Sequence, residues 1–100
     1  MSRCVISPSA SRDLNAISDY FLEQNIEAGE RLLREFNQKC QNLMRFPNMG
    51  KQYSSIREGL RGVPLDGYII FYRLLGDGVE IMRVVSGRQD LEVLFSDRDE

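Results

Sequence analysis

The spacing of apolar residues in the first half of the chain predicts two amphipathic helices. One apolar stripe recurs at intervals of four, three and four residues and consists of Ala10, Leu14, Ile17 and Phe21. It predicts a helix over roughly Pro8 to Gln24, which Ser7 can cap and Pro8 can begin. A second stripe consists of Ala28, Leu32, Phe36, Cys40 and Leu43, and it ends before "FPNMG". Because the link between the stripes is short, the two helices should form an antiparallel hairpin over residues 8–46.

The remaining apolar runs predict strands. Arg3 to Ser7 is short and β-branched, whereas Tyr68 to Leu75 and Val79 to Val85 are rich in Ile, Val, Tyr and Phe and are joined by a "GDG" turn. A weaker strand is expected around Ile56 to Val63, with Pro64 favouring an edge or a bulge. This order predicts an α+β fold, in which the helical hairpin packs on one face of a mostly antiparallel four-stranded sheet.

We expect one domain over residues 1–100. Its parts are a strand at 3–7, the helical hairpin at 8–46, a three-stranded antiparallel sheet at 56–86 and a C-terminal tail at 88–100. In the tail, Leu91, Leu94 and Phe95 would form the apolar side of one helical turn.

The register of the strands around Gly76 to Gly78 is open between two alternatives. A three-residue loop pairs Arg73 with Ile81 and Phe71 with Arg83, and it places both arginines on the sheet face away from the helices. That face would consist of Ile69, Phe71, Arg73, Ile81, Arg83 and Val85. A two-residue Asp-Gly loop, formed by Asp77 and Gly78, shifts the pairing by one residue and places the arginines on opposite faces. We favour the first register because it keeps both charges off the helices.

Composition excludes several classes of function. The chain has 100 residues, 42% of them hydrophobic, and a net charge of −2, so it offers no overall electrostatic case for binding nucleic acid. No apolar run is long enough for a membrane helix and no secretory signal is present, so a cytoplasmic protein with Cys4 and Cys40 as reduced thiols is expected. The absence of histidine excludes Ser-His and Cys-His nucleophiles and imidazole metal sites. We therefore expect neither a metal nor a cofactor, and the acidic "SDRDE" at Ser96 to Glu100 should be a solvated tail.

The strand arginines have a structural and a functional interpretation. They could lie on a solvated sheet face, with their stems covering apolar neighbours and their heads in water. Alternatively, they could form an interface, because the planar guanidinium binds carboxylates in a bidentate way and is favoured in protein contacts. Together with Ile69, Phe71 and Val85 they would make a mixed apolar and cationic surface, which suits a protein partner better than a polyphosphate.

The order of several motifs resembles the ParE branch of the RelE/ParE toxins of bacterial toxin–antitoxin pairs. The likeness runs from Val5 to about Leu91. Its most specific parts are Ser7-Pro8 with Asp13-Leu14, "IFYR" at Ile70 to Arg73, and "IMRVVSGRQD" at Ile81 to Asp90. The family commonly has a histidine where this chain has Ser86.

This resemblance implies a small toxin of a type II toxin–antitoxin system, neutralised by a ParD-type antitoxin whose extended tail wraps the helices and the sheet. The free toxin would inhibit DNA gyrase by protein contact, as an inhibitor rather than an enzyme, with no sequence-specific nucleic-acid binding except through the antitoxin complex. The candidates for gyrase contact are Arg61, Arg73, Arg83 and Arg88. Each could instead make a structural salt bridge, for example from Arg83 or Arg88 to Asp90. The candidates for antitoxin binding are Leu33, Met44, Phe71 and Val85, each of which could instead pack in the core.

The RelE branch, which cuts mRNA on the ribosome, is the alternative. Such nucleases draw on lysines of the second strand, on arginines at the start of the third strand and after the fourth, and on a C-terminal tyrosine. Only Arg88 has a counterpart here, although a shift of one residue would also bring in Arg61. The other aligned positions hold Leu60, Gly62, Ile69 and Leu94, so the groups that move protons are missing. A third possibility is a binding module without toxin activity, and its expression alone would not arrest growth.

Overall fold

The computed structural model describes residues 2–88 and 90–95. A five-stranded sheet has the strand order β1-β5-β4-β3-β2, with β1 parallel to β5 and the other neighbours antiparallel. The elements are β1 (Arg3–Ile6), α1 (Pro8–Gln24), α2 (Ile26–Arg45), β2 (Lys51–Gln52), β3 (Arg61–Leu65), β4 (Tyr68–Leu75), β5 (Gly78–Ser86) and α3 (Leu91–Leu94). The predicted α+β class is confirmed. No helix among the described residues is long and apolar enough to cross a bilayer.

The helical hairpin is built as its sequence predicts. Ser7 caps α1, because its hydroxyl accepts a hydrogen bond from the amide of Ala10, and Pro8 is the first helical residue. Asn25 alone separates the two helices. Its amide donates to the carbonyl of Phe21 at the end of α1, and its side chain accepts from Ala28 to cap α2. The second helix therefore begins at Ile26, inside the segment expected to be the link.

The sheet has one strand more than predicted, and one strand is displaced. β2 pairs with Arg61 and Gly62 through only two residues, which is too short to give a hydrophobic pattern. The weak strand expected around Ile56 to Val63 is observed as Arg61–Leu65, and it contains Pro64. Pro64 is accommodated because β2 does not extend to its outer side, so no hydrogen bond of the sheet is lost there.

The first hydrophobic core lies between the helical hairpin and the sheet. Its buried members from the helices are Ala10, Ile17, Leu32, Phe36, Cys40 and Leu43, and those from the sheet are Val63, Leu65, Ile70, Tyr72, Val79, Ile81 and Val84. The helical members are those of the two predicted stripes. Periodicity therefore identified the helix faces that pack on the sheet.

A second core covers the opposite face of the sheet, the face predicted to be open to a partner. The loop after β2 and helix α3 both pack there, and Phe71 makes edge-to-face contacts with Tyr53 and Phe95 at ring-centroid distances of 5.0 and 5.2 Å. Phe71 and Val85 are consequently buried. The expectation of an exposed apolar face built on these two residues is wrong.

A β-bulge at Met82 divides the pairing of β4 with β5 into two registers. Near the turn, Leu75 pairs with Gly78 and Arg73 with Glu80, so the loop consists of Gly76 and Asp77 and both loops considered from the sequence are wrong. Beyond the bulge, Phe71 pairs with Arg83, as predicted for the three-residue loop. Because the extra residue reverses the alternation of faces, Ile81 packs in the first core instead of sharing a face with Arg73.

Candidate functional site

The bulge is tied to the first turn of α1 through Ser7. The backbone N–H of Ser7 donates to the carbonyl of Ile81 at 3.0 Å, and its hydroxyl donates to the carbonyl of Met82 at 3.0 Å. The same hydroxyl oxygen accepts the capping bond of the helix. One buried serine therefore joins the start of α1 to the irregular part of β5.

Asp13 fixes the strand immediately after the bulge. Its carboxylate accepts from Nε and Nη2 of Arg83 at 2.7 and 3.0 Å, and from the amide of Val84 at 2.9 Å. The hydrogen bond to Asp13 raises the pKa of Arg83 above its usual value, although burial opposes this shift. The suggestion from the sequence that Arg83 pairs with Asp90 is wrong, because the carboxylate that binds Arg83 is that of Asp13. The motif Ser7-Pro8 with Asp13-Leu14 thus has a structural role, since Ser7 and Asp13 both bind β5.

Beside this junction lies a cleft of about 580 Å³ that we call the arginine cleft. Its lining residues are Ser7, Pro8, Ser9, Arg12, Arg57, Arg73, Glu80, Met82, Arg83, Leu94 and Phe95. Among the described lining residues there are four arginines and one carboxylate, that of Glu80, although the chain as a whole carries a net charge of −2. Positive charge is therefore concentrated on one side of the sheet.

Each arginine of the cleft is held in a different way. Arg73 pairs with Glu80 at 2.7 Å, and Arg83 is held by Asp13 behind it. Arg57 stands over the ring of Phe95 at 5.5 Å, and Arg12 donates to the hydroxyl of Ser9 at 3.3 Å. Most donors of Arg12 and Arg57 form no hydrogen bond to residues 2–88 or 90–95, so within this part of the chain they are available to a ligand.

The chemistry of the cleft favours binding over proton transfer. Arginine stays protonated at any physiological pH, so it donates hydrogen bonds but does not act as a base. Glu80 is the sole carboxylate among the described lining residues, and it is occupied by Arg73. Met82, Leu94 and Phe95 add an apolar part. A surface of this kind suits carboxylates on a partner, flanked by apolar side chains.

The structure brings together two of the four arginines that the sequence analysis selected. Arg73 and Arg83 line the arginine cleft, and Arg73 also borders a neighbouring cleft of about 420 Å³ with Arg61. Arg88 is exposed in the turn after β5, where its amide donates to the Ser86 hydroxyl, and its guanidinium forms no ion pair with any residue in 2–88 or 90–95.

Arg61 holds the loop between α2 and β2. Its guanidinium donates to the carbonyls of Asn48 and Gly50 at 3.0 and 2.9 Å. The buried hydroxyl of Tyr72 supports the same loop, because it donates to Pro47 at 2.7 Å and accepts from the amide of Gly50 at 2.9 Å. Burial raises the pKa of Tyr72, against the opposing effects of that amide and of Arg61. Arg61 therefore stabilises a loop in addition to any contact it makes.

Sequence reasoning missed Arg12 and Arg57. Arg12 lies off the apolar stripe of α1, where a charged residue is unremarkable. Arg57 falls in the segment that was expected to be a strand, and the loop around it has no periodic signal. The docking of α1 on β5 places Arg12 at the cleft, and the packing of the loop after β2 on the sheet places Arg57 there.

The four residues selected for antitoxin binding differ in exposure. Leu33 is 37% exposed on α2, and Ile26, seven residues earlier on the same side of that helix, is 54% exposed. Met44 is half-buried and lines a shallow cleft with Pro47 and Leu74. Leu33 and Met44 are therefore available to a partner in this conformation, whereas Phe71 and Val85 belong to the second core.

Comparisons with known proteins place this fold and site in a class. A family model described as "ParE toxin of type II toxin-antitoxin system, parDE" matches residues 4–91. The class is therefore that of toxins of type II toxin–antitoxin systems. Within it, the chain belongs to the ParE toxin family.

Individual relatives agree with this assignment. The chain is 29% identical over 93 residues to Toxin ParE1 of Mycobacterium tuberculosis, with 91% of this chain and 95% of that protein covered. It is likewise 29% identical over 92 residues to Toxin ParE3 of Caulobacter vibrioides, covering 91% and 92%. The fold matches a chain of the chromosomal ParDE TA system from P. aeruginosa with a TM-score of 0.72, at 21% identity and with 86% and 96% covered.

Proposed function

We propose that this ParE toxin inhibits DNA gyrase in the cytoplasm through contacts made by its arginine cleft, and that a ParD-type antitoxin neutralises it. The observation that carries the proposal is the family match over residues 4–91. The match includes every described residue that lines the cleft except Leu94 and Phe95. The solved relative from a ParDE system supports an antitoxin partner of the ParD type.

The composition of the cleft supports inhibition by contact rather than by bond cleavage. Ribonucleolytic cleavage needs a group that accepts the proton of the attacking hydroxyl and a group that protonates the leaving oxygen. The arginines cannot accept a proton, and Glu80 is paired with Arg73. Tyr72, whose hydroxyl could serve in principle, is buried in the first core and is bound to the loop after α2.

Arginine and aromatic side chains commonly provide the largest contributions to protein interfaces. The cleft combines both kinds of side chain, because Arg57 lies over the ring of Phe95 and Arg73 of strand β4 lines the same cleft. A complementary surface on gyrase would present Asp or Glu side chains toward these guanidinium groups.

Arg73→Ala should weaken the inhibition of gyrase supercoiling by about tenfold, which corresponds to about 1.4 kcal/mol of binding free energy. The change removes an exposed guanidinium of the cleft. The measurement is the toxin concentration that halves supercoiling of relaxed plasmid by purified gyrase.

Arg3→Ala is the matched control for Arg73→Ala. Arg3 also forms an exposed ion pair, to Asp77 at 2.8 Å, with 60% of its side chain exposed compared with 56% for Arg73, but it lines none of the clefts described above. It should leave inhibition within about twofold of the unsubstituted chain. Equal losses from both changes would contradict a role of the cleft. If the toxin cleaves ribosome-bound mRNA and leaves supercoiling unaffected, its activity is that of the RelE branch and not gyrase inhibition.

For the antitoxin, we propose that the exposed side of α2 around Leu33 and Met44 is part of the docking surface. Leu33→Glu places a charge where an apolar partner side chain would pack, so the dissociation constant of the toxin–antitoxin complex should rise at least about tenfold. The measurement is calorimetric titration of each toxin variant with the purified antitoxin from the neighbouring reading frame.

Val93→Glu makes the same change at another exposed aliphatic residue, on α3 at the opposite side of the sheet, where Val93 is 65% exposed. It should leave the affinity of the antitoxin unchanged within about twofold. If Leu33→Glu binds as tightly as the unsubstituted chain, the exposed side of α2 is not part of the antitoxin surface.

A further inference from the structure

Two of the four arginines in the arginine cleft already have a carboxylate partner. Arg73 places Nε and Nη2 on Glu80, each at 2.7 Å. Arg83 places the same two nitrogens on Asp13, at 2.7 and 3.0 Å. A carboxylate arriving from another molecule would have to share or displace these partners, which reduces what it gains. The positive charge that is still without a partner among the described residues therefore belongs to the other two arginines of the cleft.

Of these two, Arg57 is held in place without the use of its hydrogen-bond donors. Its guanidinium carbon lies 5.5 Å from the ring centroid of Phe95, and the group forms no hydrogen bond or ion pair with residues 2–88 or 90–95. The face of a ring attracts the cation but is no carboxylate, so the five N–H donors of the guanidinium still lack an anionic acceptor. Arg12, in contrast, spends one donor on Ser9 at 3.3 Å.

The second core fixes both the ring and the loop that position Arg57. Phe95 is 9% exposed and contacts Phe71 edge to face at 5.2 Å. The amide of Arg57 donates to the carbonyl of Tyr53 at 3.2 Å, and the carbonyl of Arg57 accepts from the amide of Leu60 at 3.1 Å. Tyr53 and Leu60 belong to the same core as Phe95. A side chain held in this way loses less conformational freedom when a partner binds.

We propose that Arg57 is the principal carboxylate-binding residue of the arginine cleft, and that Phe95 is the residue that positions it. This assignment rests on the proposed function, binding of gyrase through the cleft, and it names the chemistry of the contact. The group bound is an Asp or Glu side chain of the partner, because the planar guanidinium can donate two parallel hydrogen bonds to a carboxylate. Leu94 and Phe95 supply the apolar surface beside it.

Arg57→Ala should raise the toxin concentration that halves gyrase supercoiling by at least about thirtyfold, which is more than the loss expected for Arg73→Ala. Arg57→Lys keeps the charge but not the planar fork, so it should recover only part of the loss. Arg34→Ala is the matched control, because Arg34 is exposed on α2 and lines neither the arginine cleft nor its neighbour. It should stay within about twofold of the unsubstituted chain. If Arg57→Ala inhibits as well as Arg34→Ala does, while Arg73→Ala is weakened, the assignment to Arg57 fails and the proposed function stands.

A double-mutant cycle separates positioning of Arg57 from a general effect of Phe95 on the fold. Phe95→Leu should weaken inhibition about tenfold in the unsubstituted chain but only about twofold in Arg57→Ala, where no guanidinium is left to position. Phe95→Tyr keeps the ring and should retain inhibition within about twofold. Equal losses from Phe95→Leu in both backgrounds would show that Phe95 acts on the fold alone, and the positioning role would be overturned.

A measurement without gyrase tests the carboxylate site by itself. The chain, with isotope-labelled arginine, is titrated with tetraglutamate at low ionic strength, and the Nε–H signals are followed by NMR. The signal that is missing from Arg57→Ala belongs to Arg57, and it should shift more than those of the other arginines in the cleft. If that signal stays in place, Arg57 is not the principal carboxylate-binding residue. If it shifts but the unsubstituted chain does not inhibit gyrase, the proposed function fails and the carboxylate site remains.

Discussion

Gly78→Ala should lower the free energy of unfolding by about 3 kcal/mol or more, and it should be the most damaging of the simple glycine substitutions in this hairpin. Gly78 begins β5 and pairs with Arg3 on β1. A Cβ at this position would collide with the backbone oxygen, nitrogen and carbonyl carbon of Arg3. Backbone atoms cannot rotate aside, so the parallel pairing of β1 with β5 would have to open. Chemical denaturation followed by circular dichroism measures the loss.

Gly76→Ala is the control for this substitution. Gly76 lies two residues earlier in the same turn, and a Cβ there meets no atom within 4 Å. Its free energy of unfolding should stay within about 0.5 kcal/mol of that of the unsubstituted chain. If the two alanine variants are equally stable, close packing of β1 on Gly78 does not limit the stability of the fold.

The Gly78 contact also affects the functional side of the molecule. β1 leads directly into Ser7 and Pro8, which line the arginine cleft and begin α1. An opened β1 would release the bond from the Ser7 amide to Ile81 and with it the attachment of the helix start to the bulge. Gly78→Ala should therefore disturb the cleft as well as the edge of the sheet.

The elements whose bounds the sequence predicts correctly are those with a long, regular pattern of apolar residues. Helix α1 was predicted with its observed bounds because the Ala10-to-Phe21 stripe packs in or against the first core and Ser7-Pro8 marks its start. Strand β4 was likewise predicted with its observed bounds, since it is a central strand with apolar residues on both faces.

The elements that were missed depend on contacts between distant residues. The bulge at Met82 is stabilised by Ser7, and no local pattern in β5 marks it. The cover over Phe71 and Val85 comes from Tyr53, Leu60 and Phe95, which lie outside the two strong strands. Each of these apolar residues looks ordinary in isolation. The second core, and with it the shape of the arginine cleft, could therefore not be predicted from periodicity.

The same limit applies to the partner of Arg83. A structural salt bridge was one of two interpretations of this arginine, with Asp90 as the example of a partner. The observed acceptor, Asp13, is on α1 and reaches Arg83 only because Ser7 holds the helix start on the bulge. The pairing of Asp13 with Arg83 depends on how α1 docks on the sheet. No short stretch of sequence in the helix or in the strand predicts that docking.

Asp13→Ala should cost about 3 kcal/mol of unfolding free energy. The substitution removes the acceptor of two bonds from Arg83 and of the Val84 amide. It leaves Arg83, whose side chain is only 26% exposed, without an ion pair to the residues that the structure describes. Asp13→Asn keeps one carbonyl oxygen as an acceptor but loses the charge, so its loss should be smaller than that of alanine. Denaturant titration of both variants gives the two values.

Asp77→Ala is the comparison that separates the geometry of this site from the mere presence of an ion pair. Asp77 also accepts a hydrogen bond at 2.8 Å from an arginine Nε, and that bond lowers the pKa of Asp77, but the side chains of Arg3 and Asp77 are 60% and 54% exposed. Water replaces such a partner readily, so the denaturation midpoint should not change measurably. If Asp13→Ala is as mild as Asp77→Ala, the junction between α1 and the bulge does not hold Arg83 in place. The Ser7 hydroxyl alone would then account for the attachment of the helix to β5.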